Sequence, residues 1–260
     1  MKKIIILFLC VTSISYTQFR FTRSLPDCFY KAVILCENEN ISDISKDGWG
    51  GAAYNPYKEN NISKFGEKSV GLNLSGYVSA VDILYNSYYN PLAYGNDFTI
   101  EMWIYNTTAT STCKHLVTSG YNNQSAALFF ILNSRVTVHG NFNNIWMGNY
   151  NTTTGNNTNT VYYSSDNTVP LNNWTHLCNT RKGNTVYYFI NGKLLYSCNA
   201  TQDFNNNNPT NNYDIRIGQR TLTKGTAPSS NSQYFIGYIQ NIKFSTIARY
   251  TSDFNPTKPY

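Results

Sequence analysis

Alternation of apolar and polar residues is the dominant pattern along this chain. In residues 97–105, DFTIEMWIY, the apolar residues Phe98, Ile100, Met102 and Ile104 occupy every second position. Because successive side chains of a β-strand point to opposite faces, this spacing predicts a strand with one face in a core. No stretch of the chain carries a helical stripe. The alternating pattern also predicts strands at residues 69–74, 77–81, 115–118, 127–132, 135–139, 213–218 and 234–244.

The clearest local unit is a three-stranded meander in residues 174–198. Asn191 and Gly192 stand between two alternating runs, and both tolerate the positive φ angles of a two-residue hairpin turn. The outer strands of such a meander lie about 9–10 Å apart, because a middle strand separates them. A disulfide needs Cα atoms within about 7 Å, so the pattern argues against a bond between Cys178 and Cys198.

Two segments rich in asparagine interrupt the alternation, at residues 141–160 and 202–212. We predict that both are long surface loops. Loops on a rigid β scaffold are where recognition residues concentrate, so these segments are where we expect function to lie.

The strands and their Gly, Asn, Ser and Pro turns are typical of a two-sheet antiparallel jelly-roll sandwich. The chain has 260 residues and no linker-like segment, which favours a single domain. Its N-terminus, MKKIIILFLCVTSISYT, combines two lysines, an apolar run and small residues. We therefore predict a signal peptide over 1–15, a mature domain over 16–260, and a secreted protein or one at a cell or particle surface. The apolar run is too short to span a membrane.

Charge and cysteine content narrow the range of partners. The chain has 20 basic and 14 acidic residues, and loss of Lys2 and Lys3 with the signal peptide leaves 18 against 14, a net charge of +4. The basic residues are scattered singly, which argues against nucleic-acid binding. Of six cysteines, Cys10 lies in the signal peptide, and the odd number that remains predicts a free thiol or a disulfide between chains of a homo-oligomer.

Asparagine in the pattern Asn-X-Ser/Thr is a glycan acceptor in a eukaryotic secretory route. Nine such sequons make the chain a candidate glycoprotein, and they begin at Asn40, Asn61, Asn73, Asn106, Asn123, Asn151, Asn156, Asn173 and Asn199.

Five stretches, in chain order, resemble the motifs of the laminin-G-like, concanavalin A-like lectin/glucanase superfamily. They are KAVILCENENISDISKDG (31–48), KFGEKSVGLNLSGYVSAV (64–81), DFTIEMWIY (97–105), NNWTHLCNTRKGNTVYYFINGKLL (172–195) and IRIG…YFIGYIQNIKFSTIARYTSDFNPTKPY (215–260). The resemblance implies an all-β, concanavalin A-like jelly roll in which the last strand lies beside the first. It also implies that Trp103 and Trp174 lie in the core, and that the tail seals an edge of the sandwich, with Tyr250 and Phe254 packed against it.

Glycosidases of this superfamily carry clustered carboxylates on one strand, since the acid/base and the nucleophile must face the same bond. This chain has no such cluster, and Glu101 is the only acid in its strand. His176 matches a structural position of the family, which argues against a catalytic triad. We therefore expect no enzymatic activity. Calcium, frequent in relatives, is a candidate cofactor, although Asp97, Asp203 and Asp214 are isolated.

Sugar sites combine an aromatic face with amide hydrogen bonds. The segment NNIWMGNY offers this mixture, and we predict Trp146, Tyr150, Asn144 and Asn149 as ligand-binding residues. A second such set is Trp49, Tyr54 and Tyr57. The fold analogy favours a non-catalytic recognition or adhesion module that binds glycans or surface proteins. A structural surface protein that assembles through protein–protein contacts and a divergent glycoside hydrolase are the alternatives.

Overall fold

The computed structural model describes residues 30–37, 40–43, 51–54, 57–59, 61–66, 69–72, 80–83, 97–108, 114–119, 127–132, 145–150, 161–163, 169–199, 215–219 and 234–257. Within these ranges the regular elements are all strands, and there is no helix that could cross a membrane. The strands are β1 (Tyr30–Glu37), β2 (Asn40–Asp43), β3 (Gly51–Tyr54), β4 (Tyr57–Glu59), β5 (Ser69–Leu72), β6 (Ala80–Ile83), β7 (Phe98–Asn106), β8 (Lys114–Ser119), β9 (Ala127–Leu132), β10 (Ile145–Tyr150), β11 (Val161–Tyr163), β12 (Trp174–Lys182), β13 (Thr185–Ile190), β14 (Lys193–Asn199), β15 (Ile215–Ile217) and β16 (Gly237–Ser245).

These strands form two antiparallel sheets. The nine-stranded sheet has the order β14-β13-β12-β7-β16-β1-β2, and β5 pairs with both β16 and β4. The seven-stranded sheet has the order β11-β10-β9-β8-β15-β6-β3. The predicted all-β sandwich of two antiparallel sheets is thus confirmed, as is the pairing of the first strand with the last, where Val33 lies opposite Lys243.

The core lies between the two sheets. Phe98, Ile100, Met102 and Ile104 of β7 all belong to it, which confirms the face that the alternation predicts. From the seven-stranded sheet, the core includes Leu116, Val117 and Ile217. Trp103 and Trp174 do not belong to it, because they alternate with the core residues and lie on the opposite, outer face of the nine-stranded sheet.

The meander of β12, β13 and β14 is confirmed, with φ angles of 51° at Asn191 and 75° at Gly192. Cys178 and Cys198 lie on its outer strands and both carry free thiols. The strand predicted at 135–139 falls outside the described residues. The strand at 127–132 has the predicted bounds, and the others are present with bounds shifted by a few residues. The prediction of one long loop over 141–160 is wrong, because Ile145–Tyr150 forms β10.

The C-terminal tail, residues 246–257, lies over the outer face of β7, β12 and β13. Its backbone amide at Arg249 donates to Thr99 Oγ1 at 2.9 Å. The rings of Tyr250 and Phe254 stack with centroids 3.6 Å apart, and Phe254 packs against Phe189 of β13 at 5.3 Å. Their predicted packing role is confirmed, but the tail covers a face of the sheet rather than an edge.

An ion cluster lies beneath this tail. Glu101 Oε1 accepts a hydrogen bond from Lys243 Nζ at 3.2 Å, while Oε2 accepts from His176 Nε2 at 3.2 Å and from the Tyr250 hydroxyl at 3.4 Å. Burial by itself raises the pKa of Glu101, but the hydrogen bond from His176 and the charge of Lys243 outweigh it and lower the pKa from 4.5 to about 2. Burial lowers the pKa of His176, so its imidazole is neutral at pH 7.

We predict that Gly192→Ala detaches the tail. A Cβ at this position would collide with the Phe254 carbonyl oxygen and lie 2.7 Å from Pro256 Cδ, and Phe254 N donates to the Gly192 carbonyl at 2.8 Å. Gly183→Ala is the matched control, because its φ is also positive, at 55°, yet a Cβ there meets nothing within 4 Å. The control carries only backbone strain, about 1–2 kcal/mol. In urea unfolding, we expect Gly192→Ala to lose at least about 1 kcal/mol more than the control; equal losses would contradict a docked tail.

We also predict that the fold loses stability in acid. The unfolded chain binds more protons than the folded chain wherever the folded pKa is the lower one, so His176 and Glu101 both destabilise the folded state as the pH falls. The contribution of Glu101 is complete above its ordinary pKa of 4.5 and is lost as the pH falls to about 2. This drop of roughly 2.5 pKa units corresponds to about 3 kcal/mol. Urea unfolding at pH 7, 4.5 and 2.5 measures it.

Glu101→Gln is the control for the acid effect, since its amide cannot titrate. We expect the free energy of unfolding of this variant to be lower at pH 7, because Lys243 keeps no carboxylate partner, and to fall less steeply than wild type below pH 4.5. A slope equal to that of wild type would show that other groups cause the acid sensitivity.

Candidate functional site

The predicted ligand residues cluster on and beside β10. This strand lies between β9 and β11, and Trp146 stands opposite Ile131 on one side and Tyr163 on the other. Trp146 and Tyr150 are in phase, with Gly148 between them. Asn149 is out of phase and therefore belongs to the other face of the sheet. Asn144 lies outside the described residues.

The register identifies which face is outward. Val117 of β8 belongs to the core, and it stands opposite Phe130 of β9, which in turn stands opposite Met147 of β10. Met147 therefore occupies a core-facing position, and so does Asn149, two residues later. By the same alternation, the positions of Trp146 and Tyr150 are on the outward face of the seven-stranded sheet.

On β8, β15 and β6, the outward face of this sheet carries polar residues. Arg216 of β15 alternates with the core residue Ile217 and stands opposite Asp82 of β6 and Thr118 of β8. Arg216 is only 1% exposed, and the Thr118 hydroxyl donates to the Gln219 carbonyl at 3.2 Å. Aromatic positions on β10 and β11 thus share one face with buried polar side chains on β8 and β15.

The nine-stranded sheet has its own outward aromatic region. Trp174 of β12, Tyr105 of β7 and Tyr238 of β16 stand opposite one another on three neighbouring strands, and all three are half-buried. Their ring centroids are 5.5 Å apart for Trp174 and Tyr105, and 5.9 Å apart for Tyr105 and Tyr238. The sequence does not predict this row, because the three residues become neighbours only through strand pairing. The only local signal is that Tyr105 alternates with the core residues of β7 and so belongs to its outer face.

The ion cluster under the tail contains residue types that could form a nucleophilic site, but its geometry does not support that role. The Cys178 thiol is fully buried, and it contacts Thr180 Oγ1 at 3.7 Å. Burial raises the pKa of this thiol well above 9.0, which keeps it protonated and unreactive. Glu101 and His176 are each about 3% exposed and lie beneath the tail. The cluster therefore holds the tail and is closed to a substrate.

Lys114 is a second buried ionisable group. Burial lowers its pKa from 10.5 to about 8. Its Nζ donates to Asn106 Oδ1 at 3.1 Å and to the Thr108 carbonyl, and these bonds tie the end of β7 to the start of β8.

The described residues contain no group of three or more His, Cys, Asp or Glu side chains that could hold a metal ion. Of the acids considered as calcium ligands, Asp97 accepts a hydrogen bond from Gly183 N at 2.7 Å and so fixes the β12–β13 turn. Asp203 and Asp214 lie outside the described ranges. A calcium site stays a prediction from the family resemblance.

The sequons differ in their surroundings. Asn106 is fully buried and its Oδ1 accepts a hydrogen bond from Lys114, so the folded chain leaves no room for a glycan there. Asn61, Asn173 and Asn199 are exposed, and Asn40 lies in β2. The remaining predicted acceptors, Asn73, Asn123, Asn151 and Asn156, fall outside the described residues.

Several solved structures share this fold. Domain 4 of AbnA, a GH43 extracellular arabinanase from Geobacillus stearothermophilus, in complex with arabinotriose, aligns with a TM-score of 0.55 and 18% identity, over 85% of this chain and 93% of that domain. The binding domain of Paraclostridial Mosquitocidal Protein 1 aligns with a TM-score of 0.58 and 16% identity, over 86% of this chain and 50% of its own length. The binding domain of botulinum neurotoxin DC, in complex with rat synaptotagmin II, aligns with a TM-score of 0.56 and 14% identity, over 85% and 49%. This chain thus spans about half the length of the toxin domains.

No curated protein matches the sequence at a significant level. A family model of the laminin G type, described as the concanavalin A-like lectin/glucanases superfamily, matches residues 76–253, which is more than half of the chain. That range runs from just before β6 into the tail and so includes the central strands of both sheets. The chain belongs to the concanavalin A-like lectin/glucanase superfamily.

Proposed function

We propose that this protein is an exported, non-catalytic recognition module that binds glycans through the outward face of β9, β10 and β11. The observation that carries the proposal is the register of β10, which puts Trp146 and Tyr150 in phase on that face. Sugar rings present flat C–H faces, and aromatic side chains are the protein groups that pack against them.

The spacing of these positions suits a saccharide. Trp146 and Tyr150 are four residues apart on an extended strand, about 13–14 Å. Gly148 lies midway between them and has no side chain to occupy the space. Tyr163 of β11 stands opposite Trp146, and directly opposed residues are about 4.5–5.5 Å apart at Cβ. The positions of Trp146, Tyr150 and Tyr163 thus lie around Gly148 on one face of the sheet.

The compared structures support binding rather than catalysis. One of them is a complex with a trisaccharide, arabinotriose, and the others carry the name of binding domains. The N-terminal signal-peptide pattern supports export. A hydrolase would need two carboxylates that face one glycosidic bond, and Glu101, the acid of β7, is closed off by the tail.

We predict that Trp146→Ala lowers the affinity for glycans at least tenfold, because a tenfold change corresponds to about 1.4 kcal/mol, within the range that aromatic contacts contribute. The measurement is binding of the purified protein to a glycan array, followed by titration calorimetry with the best oligosaccharide. Circular dichroism and urea unfolding establish that the variant is folded.

Asn149→Ala is the comparison variant for this site, since its position is on the core-facing side of the same strand. We expect it to lower stability while the affinity of the folded fraction is unchanged. Equal affinity of wild type and Trp146→Ala for every neutral oligosaccharide that the array identifies would contradict the proposed site. Oligomers that dissociate on reduction, without any glycan bound, would instead favour the role of a structural surface protein.

A further inference from the structure

The outer face of the nine-stranded sheet carries an aromatic row of three residues, Trp174, Tyr105 and Tyr238. The tail and residues 61–66 cover the neighbouring positions on the same face. Phe65 packs edge-on against Trp103 with ring centroids 5.5 Å apart, and Phe254 packs against His176 at 5.7 Å.

The cover ends where the row begins. Trp103 is only 6% exposed, whereas Tyr105, two residues further along the same face of β7, is partly exposed. Trp174 and Tyr238 share this partial exposure. Side chains that served only to pack the sheet would lie under the cover with Trp103. The row is therefore a partly exposed aromatic surface, and Lys64 and Phe65 border it on the side of Trp103.

We propose that the aromatic row is a second carbohydrate site, separate from the site on β10, and that it takes a single chain of an acidic oligosaccharide. The proposal goes beyond the function inferred above, because it lies on the other sheet and shares no residue with that site.

The spacing of the rings indicates a chain of sugars. The row advances by 5.5 Å and then by 5.9 Å from one aromatic ring to the next, close to the length of one sugar unit. Beyond Tyr238 the register continues through Gly71 of β5 to the position of Tyr57 on β4. A chain that runs across the strands thus meets one aromatic position on each of three adjacent strands, and then a glycine.

The tilt of the rings indicates a single soluble chain rather than a crystalline surface. The ring planes differ by 61° between Trp174 and Tyr105 and by 66° between Tyr105 and Tyr238. A flat polysaccharide crystal offers all its sugar faces in one plane and could contact only one of these rings at a time. A free chain can rotate about each glycosidic bond and present successive faces to successive rings.

The charge beside the row indicates an acidic ligand. Lys64 is exposed, its Nζ lies 4.7 Å from the centre of the Trp103 ring, and its backbone amide is fixed by Gln240 Oε1 at 2.9 Å. Trp103 and the row residue Tyr105 are two residues apart on the same face of β7, about 7 Å. The Lys64 ammonium over Trp103 therefore lies beside the row. Among the residues whose side chains the structure describes, no carboxylate pairs with this ammonium, and Glu101 of the same face is buried against Lys243. A carboxylate or sulfate on a bound sugar could therefore pair with the Lys64 ammonium at the border of the row.

The test uses protein made in a bacterial host, so that Asn173, next to Trp174, carries no glycan. Titration calorimetry is performed with two matched hexasaccharides, β-1,4-linked glucose and β-1,4-linked glucuronic acid, after a glycan array that contains neutral and acidic chains. We expect Trp174→Ala and Tyr105→Ala to lower the affinity for acidic chains at least tenfold, and Tyr105→Phe, which keeps the ring, to lower it less than threefold. Tyr196→Ala, which removes a tyrosine that is 39% exposed outside the row, should have no effect.

Lys64→Gln separates the charge from the rings. Wild-type affinity for acidic chains should fall as salt is raised from 50 to 500 mM, because exposed charges are screened. In Lys64→Gln the preference for acidic over neutral chains and most of this salt dependence should disappear, a readout that a purely structural role would leave unchanged. Trp146→Ala should leave binding at the row intact, so the two sites succeed or fail separately.

Three results would overturn the proposal. The first is that no acidic chain on the array binds. The second is that binding of acidic chains survives both Trp174→Ala and Tyr105→Ala in folded protein. The third is that neutral and acidic chains bind with equal affinity and that Lys64→Gln does not change this. Retention on microcrystalline cellulose that is lost in Trp174→Ala would overturn the single-chain interpretation.

Discussion

Burial of β7 on both of its faces is the constraint on which the rest of the structure depends. A strand in the middle of a sheet has one face in the core, and its other face normally meets water. In β7 the second face carries Glu101, and a buried carboxylate is tolerated only when partners compensate for its lost hydration. Lys243 and His176 supply them from the two flanking strands, and Tyr250 supplies a hydroxyl from the tail. The position of the tail thus follows from the charge it covers.

A buried ion cluster does not make the fold stable by itself. The cost of dehydrating the charges offsets much of their attraction, whereas removal of one partner leaves another charge uncompensated. Its effect here is to favour one arrangement of the tail, because only that arrangement brings Tyr250 to Glu101 while Phe254 N reaches the Gly192 carbonyl. The same arrangement leaves Tyr105 partly exposed. One strand therefore carries core residues, a sealed ion cluster and a partly exposed aromatic residue within 9 residues.

Sequence reasoning succeeded where structure is determined locally, and it failed where distant strands had to be brought together. The alternation in 97–105 and the Asn191-Gly192 turn each specify their element through neighbouring residues alone. The sequence predicts one loop over 141–160 because its asparagines hide the short alternation around Gly148. Glu101 looked isolated, since its partners Lys243 and His176 come from strands 142 and 75 positions away. The aromatic row is invisible for the same reason, because strand pairing rather than sequence distance makes its members neighbours.

The two proposed sites lie on opposite sides of the sandwich, and this has a consequence for how the protein would bind. Sites on outward faces of two packed sheets point away from each other, so a short oligosaccharide cannot occupy both at once. A surface with many glycan chains, by contrast, can supply one chain to each face. The second chain then binds from a high effective concentration, and avidity can exceed either single affinity by about 10²–10⁴. The two proposed sites would therefore hold the protein more firmly on a glycan-coated surface than either site would hold a soluble short chain.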